Sequence, residues 1–326
     1  MCVIVGLRNI SGSAKRIFDG EISTEASNIN AYLLDGPDLF VSAVPRSLFG
    51  LPYMEYGNKP TDGGYLILSP AEKERLLSRR PEAKEFVKRF MGSNEAIKGI
   101  ERYCLWVSDE DSERAARIPE IKTRFDMVAK FRAESKAAQT RPAAAYPHRF
   151  RQAQNWTTKQ SIVVPIHSSE RRTVLPADIH GPETILSNAN LVLYDAPEWC
   201  FALIVSRLHI VWIGTVCGRL ESRFRYSNTM GWNTFPVPRF TEDQLEALSA
   251  SARAILKTRY LHHPKTIAEL YDPDAMPEDL REVHRQNDEL LETMYIGRPF
   301  KNDTERLEKL FKLYAARIEK LKTEAA

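Results

Sequence analysis

Four charged side chains recur at alternate positions in Gly218-Arg-Leu-Glu-Ser-Arg-Phe-Arg-Tyr-Ser-Asn228: Arg219, Glu221, Arg223 and Arg225. In an extended backbone alternate residues share a face, so the segment reads as a polar comb. Guanidinium forks donate to guanine O6 and N7, and a carboxylate accepts from cytosine N4, which is the chemistry of reading base edges. An exposed strand laced with salt bridges has the same composition. The comb alone does not choose between the two.

Its surroundings add weight to base reading. From Arg207 to Arg239 there are five arginines, no lysine and one acid, Glu221. Arginine is the side chain suited to bidentate recognition. A second basic stretch, Glu113 to Lys159, holds eleven basic residues against four acidic ones, in a chain whose net charge is only +3. Within it Arg149, Arg151 and Lys159 lie near Tyr146 and Trp156, a basic and aromatic interleaving suited to gripping a nucleic-acid backbone. Ser168, Ser169, Arg171 and Arg172 form a polar turn before Leu175-Pro176 that offers hydroxyl and guanidinium donors to phosphate. Arg207, Ser227 and Asn228 are further candidates for backbone contact. The plain readings are a solvated linker, an ordinary turn and chain-turning residues. Trp232 and Phe235 read as core.

Several elements must position these residues. Ser69-Pro70-Ala-Glu72 combines an N-cap serine, proline at the first helical position and a capping-box glutamate, so a helix starts there and runs towards Ser78. Helical patterns follow at Glu82–Met91 and, after a strand-like Arg102–Val107, from about Ser112 to Gln139, where Pro119 starts or kinks the helix. The runs Ser161–Ile166, Leu191–Tyr194, Trp199–Val205 and His209–Gly214 are rich in strand formers and divided by turn residues. After Pro238 the pattern is helical again: Thr241-Glu-Asp-Gln244 is a capping box, and Pro277–Met294 and Asn302–Lys322 are amphipathic. The expected fold is α+β: an irregular mixed β-sheet domain with inserted helices, then an α-helical C-terminal region. Residues 26–240 and 241–326 divide accordingly. At the N-terminus Cys2–Leu7 reads as a buried strand with no preceding element to pair with it.

The inventory of catalytic motifs is thin. There is no GxGxxG, GxxxxGK[ST], HExxH or GxSxG. Cys2, Cys104, Cys200 and Cys217 are widely spaced and read as reduced core thiols, and His262-His263 reads as a helix end, so no metal site is expected. Asp109-Glu110-Asp111 precedes a helix, where acids complement the dipole. Glu82-Ala-Lys84 and Glu120-Ile-Lys122, which resemble nuclease fragments, fall in helical patterns. No apolar run approaches the roughly 18 residues of a membrane span, and no secretion signal is present, so a cytoplasmic setting is expected.

The segments Lys15–Asn30, Tyr32–Pro37, Asp62–Ser69, Arg102–Trp106, Ser168–Arg172, Ser206–Trp212, Gly218–Leu220 with the comb, and Asn233–Pro236 resemble the MmeI-like (type IIL) restriction-modification proteins. Such proteins join a nuclease, an S-adenosylmethionine-dependent adenine methyltransferase, a target-recognition domain and a helical C-terminal part. The resemblance implies the last two, with residues 1–25 as the final methyltransferase strand and a linker. The family's cofactor glycine motif and its Asn-Pro-Pro-Tyr/Phe motif have no counterpart here. The implied role is sequence-specific recognition of double-stranded DNA, with no catalytic, cofactor or metal residue in these 326. S-adenosylmethionine would belong to a methyltransferase portion elsewhere, on the same or a separate polypeptide. The resemblance places base contacts on Glu221, Arg223 and Arg225, with Ala189 on a neighbouring strand. Two rival readings stand beside it: an autonomous nuclease or methyltransferase with an unfamiliar site, and a basic scaffold that binds RNA or protein.

Overall fold

The computed structural model describes residues 4–7, 9, 12–19, 22–36, 38–152 and 156–325. Residues 4–7 form no strand, and Ile4 and Leu7 are exposed. Among the described residues the buried strand expected over Cys2–Leu7 is therefore not formed; Cys2 and Val3 lie outside them. Next, β1 (Lys15–Asp19) and β2 (Ile22–Ala26) pair antiparallel as a two-stranded ribbon.

After a long loop come β3 (Glu55–Tyr56), β4 (Ile67–Leu68) and α1 (Pro70–Arg79). The expected capping box starts α1: the Ser69 hydroxyl accepts from Glu72 N–H, and the Glu72 carboxylate accepts from Ser69 N–H at 2.9 Å. That backbone hydrogen bond, followed by the Arg124 guanidinium, lowers the Glu72 carboxyl to about 2. The helical pattern over Glu82–Met91 resolves differently, into a 3-10 turn (Pro81–Phe86) and β5 (Val87–Met91). Phe90 and Met91 are buried in the sheet that β5 joins. Then follow α2 (Ser93–Lys98) and β6 (Tyr103–Leu105). The helix expected over Ser112–Gln139 is three pieces: α3 (Ser112–Ala116), α4 (Pro119–Ala133) and a 3-10 segment (Ala138–Ala145). Pro119, which lacks an N–H, opens α4 at its first turn.

The strands β7 (Ser161–Pro165), β9 (Asp178–His180), β10 (Thr184–Leu186) and β11 (Asn190–Tyr194) complete two four-stranded sheets, while β8 (His167–Ser168) pairs outside them. One runs β10-β5-β6-β4, with β10 parallel to β5; the other runs β3-β11-β7-β9, antiparallel throughout.

Trp199–Val205 and His209–Gly214, read from sequence as strands, are instead the helices α5 (Trp199–Ile204) and α6 (Arg207–Val216). Cys200 to Ile204 are all buried, as are Leu208, His209, Ile210, Trp212 and Ile213. A helix covered on nearly every side loses the polar stripe that marks its period, and a short apolar run then looks like a buried strand. Ser206 caps α6 by accepting from His209 N–H.

Beyond Pro238 lie α7 (Glu242–Leu261), α8 (Ile267–Leu270), α9 (Glu278–Ile296) and α10 (Asp303–Ala325). They do not enclose a core of their own. One hydrophobic cluster runs from Leu34 through β7, β11, α5 and α6 to Leu248, Leu291, Leu310 and Tyr314. Trp212 of α6 is fully buried, its ring 5.2 Å from that of Phe311 and 5.9 Å from that of Tyr314 on α10. Polar ties cross the same junction: Asn287 donates to Ala202 O at 3.0 Å, Tyr295 to Pro236 O at 2.7 Å and Arg317 to Leu48 O at 2.7 Å.

A charged cluster sits where α6, α9 and α10 meet. The Arg207 guanidinium pairs with Asp303, Arg306 pairs with Asp303 and Glu292, and Asp288 accepts from Arg207 N–H at 2.7 Å. Three carboxylates face two guanidiniums, which leaves one negative charge uncompensated. Burial, and after it the Glu292 carboxylate, pushes the Asp288 carboxyl up to about 7. A group raised in the folded state contributes stability that is complete below its unfolded value, 3.8, and is lost as pH rises through the folded one. The melting temperature of the protein, relative to that of D288N, is therefore expected to fall between about pH 4 and 7 and level off above; a constant difference across thermal melts in that window would remove Asp288 as the titrating group.

Candidate nucleic-acid interface

The comb is a hairpin. Strands β12 (Arg219–Leu220) and β13 (Arg223–Arg225) pair as Arg219↔Phe224 and Leu220↔Arg223, with Glu221 and Ser222 as a two-residue turn. Paired residues share a side of a sheet and neighbours alternate. Arg223, Arg225 and Leu220 thus project from one side and Arg219 from the other, with Phe224. This corrects the single four-toothed face expected for a continuous extended strand. Glu221 takes a positive φ of 58°, which suits the tight turn and is adopted without cost mainly by glycine. A glutamate there is strained by roughly 1 kcal/mol, the kind of cost that concentrates at working sites.

Both roots of the hairpin are fixed. α6 leads into β12 through Cys217 and Gly218. On the other side Tyr226 is buried, and its hydroxyl meets His209 Nε2 at 2.8 Å. Burial holds the His209 imidazole neutral, lowering it to about 3. Trp232 and Phe235 pack their rings against the same imidazole, and both are fully buried, as core residues. Gly231 is required beside Tyr226, because a Cβ there would overlap the ring.

A third strand extends the hairpin: β13 pairs with β8, as Phe224↔Ser168 and Arg225↔His167. His167, exposed, therefore shares the side of Arg225 and Arg223, a neighbour that only long-range register reveals. Ala189 joins through the backbone. Tyr226 N–H donates to Ile166 O at 2.8 Å, and Ile166 N–H donates to Ala189 O at 3.5 Å. Ala189 lies in the exposed turn before β11 rather than on the strand itself. Ser93 at the start of α2 fixes that turn, donating to Ala189 O at 2.6 Å and reaching Asn190 Oδ1 at 2.9 Å.

At the tip, Arg223 donates to Glu221 at 2.8 Å, both side chains largely exposed. Arg225 is exposed and has no side-chain partner among the described residues. Glu170 bonds the Ser222 hydroxyl. Its own backbone N–H and then Ser222, with weaker help from Arg219 and Arg223, hold its carboxyl low. A carboxylate below the tip was not foreseen, since nothing in the sequence pairs 170 with 222.

The expected backbone-contact residues are not gathered in one place. Ser168 is buried, and its hydroxyl has no hydrogen-bond partner among the described residues. The Ser169 hydroxyl accepts from Arg171 N–H within its own turn. Arg171 is paired with Asp274 at 2.5 Å, and Arg172 donates to Tyr271 O at 3.3 Å. Arg207 belongs to the charged cluster at α10. The Ser227 hydroxyl accepts from Met230 N–H, and Asn228 is buried and donates to Met54 O at 2.8 Å. Burial or existing partners thus make Ser168, Arg207, Ser227 and Asn228 parts of the frame, a role that sequence spacing does not reveal.

Arg149, Arg151 and Lys159 are exposed or half-exposed on loops that are themselves clamped. Arg149 pairs with Asp109 at 2.8 Å and lies 4.6 Å from the Tyr146 ring centroid; Arg151 donates to Gln139 O at 3.1 Å. Beneath them Arg132 of α4 is fully buried and uses its whole guanidinium on backbone. Nε donates to Thr61 O, Nη1 to Ala143 O and Tyr146 O, and Nη2 to Pro60 O and Arg149 O, at 2.8 to 3.1 Å. The loop bearing Lys159 is wrapped on Asp195. Against the raising effect of burial, the Thr157 hydroxyl and the N–H groups of Thr158, Lys159 and Gln160 hold that carboxyl far below the usual range.

Among the described residues no cluster of His, Cys, Asp or Glu could hold a metal, and no helix is long and apolar enough to cross a membrane. His262, at the end of α7, bonds Asp279. Cys104 and Cys200 are buried free thiols and Cys217 is half-buried.

An exposed charged hairpin, braced by β8 and rooted on α6, thus stands on a mixed α and β region that packs against the C-terminal helices. Residues 35–239 match the family described as the MmeI target recognition domain, and residues 240–322 match the MmeI C-terminal domain. The chain belongs to the MmeI family. It is 36% identical over 319 residues to DNA methyltransferase A of Bacillus subtilis (strain 168), which covers 98% of this chain and 36% of that protein. Among solved structures it resembles the type IIL restriction-modification enzyme MmeI in complex with DNA, with a TM-score of 0.85 and 32% identity, over 95% of this chain and 42% of that one. The chain thus spans well under half the length of these relatives.

Proposed function

We propose that this chain is the sequence-reading module of an adenine-specific DNA methyltransferase or restriction-modification protein. The observation that carries this reading is the hairpin, which offers a carboxylate at Glu221 beside guanidiniums at Arg223 and Arg225 on an exposed tip with buried roots. Side by side, Arg223 and Glu221 offer the groups that the two edges of a G·C pair take, guanidinium for the purine and carboxylate for the cytosine amine. His167 and Ala189 border the same surface and would read or shape adjacent positions. Arg149, Arg151 and Lys159 are suited to phosphate, as are Ser169, Arg171 and Arg172 once Asp274 is displaced. The chain holds neither the cofactor glycine motif nor the Asn-Pro-Pro-Tyr/Phe motif. S-adenosylmethionine and the flipped adenine would therefore be handled by a methyltransferase portion carried elsewhere, on the same or another polypeptide.

The test exchanges donor and acceptor. E221K combined with R223D keeps an ion pair at the tip while reversing its polarity, and is expected to change the preferred base pair at one position by about 10- to 100-fold, the worth of one bidentate contact. Selection from randomised duplexes, followed by titration of the winners, reads this out. An unchanged preference at every position would sink the proposal, and so would equal affinity for all duplexes by the unmodified chain.

A further inference from the structure

We infer that Arg219 is a positioning residue, which braces the hairpin that presents Glu221 and Arg223 and does not itself meet a base; this rests on the base-reading proposal above. The strand register puts Arg219 opposite Phe224, on the side away from Arg223 and Arg225. Its guanidinium carbon lies 5.0 Å from the Phe224 ring centroid. Nη1 donates to Ser222 O at 2.8 Å in the turn, and Nη2 reaches back to Gly214 O at 3.4 Å in α6. One side chain therefore ties the turn, β13 and the supporting helix together. Gly214 leaves the space for this: a Cβ there would stand 3.0 Å from Phe224 Cε1 and 3.9 Å from Arg219 Nη2.

The hairpin needs such a brace. Two residue pairs are too few to hold a ribbon, since even full two-stranded hairpins are marginal in water. The strain at Glu221 pulls the same way, because relaxing its φ would swing the carboxylate off the tip. β8 supports β13 but not β12. Beyond its pairing, and the hydrogen bond from Arg225 N–H to Gly218 O at 3.1 Å at its root, β12 is held by the Arg219 side chain, through stacking and two carbonyls. Base reading depends on donors and acceptors held within a fraction of an ångström, so a loose turn weakens discrimination before it weakens attraction to phosphate.

The test uses the whole chain with two duplexes, the one selected from a random pool and a scrambled one of equal length. R219A and R219K are each expected to weaken binding to the selected duplex by about tenfold, while affinity for the scrambled duplex and its salt dependence stay near those of the unmodified chain. Lysine keeps the charge but supplies neither the planar stack nor the fork. The order of base preference at each position is expected to persist. F224L, which removes the ring but keeps an apolar side chain, should act like R219A, and the double variant should lose little more than either alone. Loss of preference at one position that R223A and R225A leave intact would overturn the inference, making Arg219 a reader. Equal weakening on both duplexes with a shallower salt slope would also overturn it, making Arg219 a phosphate contact. R223A and R225A without effect at any position would instead refute the base-reading proposal, and that result is read from variants that leave Arg219 in place.

Discussion

A chain cut after Phe240 is expected to lose cooperative folding altogether. Residues 35–239 and 240–322 match separate family domains, yet the hydrophobic cluster that contains Phe201, Leu208 and Trp212 continues without a break into α7, α9 and α10. Removing the helices would open the packing around Trp212 and around α5, whose residues 200–204 are all buried. Each large apolar side chain returned to water costs about 1.5–3 kcal/mol. A handful of them matches the 5–15 kcal/mol that separates a folded domain from its unfolded state. The hydrogen bonds from Asn287 to Ala202 O and from Tyr295 to Pro236 O are lost with the helices. Circular dichroism and size exclusion on residues 1–240 check this: a soluble fragment with a sharp melt would show that the recognition domain stands alone. The intact chain should unfold in one transition, coincident by circular dichroism and tryptophan fluorescence.

The second large effect is expected at Arg132. Its five donors meet five backbone carbonyls drawn from residues 60–61 and 143–149, and among the described residues no carboxylate forms an ion pair with it. R132M would bury those carbonyls with nothing to satisfy them, at about 1–3 kcal/mol for each that finds no water. R132K restores a charge with three donors in the wrong geometry. Both are expected to destabilise the protein by at least ~3 kcal/mol in denaturant titrations. Both should also weaken binding to scrambled DNA more than they alter base preference, because the loop freed carries Arg149 and Arg151. Stability within about 0.5 kcal/mol of the unmodified chain would mean that the loop is held by other contacts.

Much of this was legible in the sequence. The capping boxes at Ser69 and Thr241, strands β7 and β11 and the closing amphipathic helices announce themselves locally, because caps and half-exposed periodicity are local signals. The two central helices did not. α5 and α6 are covered on nearly every side, so no polar stripe survives to separate period 3.6 from period 2. The comb was visible as composition but not as geometry. Glu221-Ser222 carries no glycine, asparagine or aspartate to mark a turn, and without the turn Arg219 falls on the wrong side. The neighbourhood of His167, Glu170 and Ala189 depends on pairings between distant strands, which no local pattern encodes.

The two-residue turn at Glu221-Ser222 also bears on how such a protein changes over evolutionary time. Exchanging side chains at 221, 223 or 225 alters what the tip offers and leaves Phe224, Tyr226 and Ser168 seated as before. A residue inserted at the turn would instead lengthen the loop and move position 221 relative to Arg223, while β13 stays paired with β8 at Phe224 and Ser168. If the tip reads bases as proposed, a new specificity would be reached by point substitution, in single steps that leave the supporting fold intact.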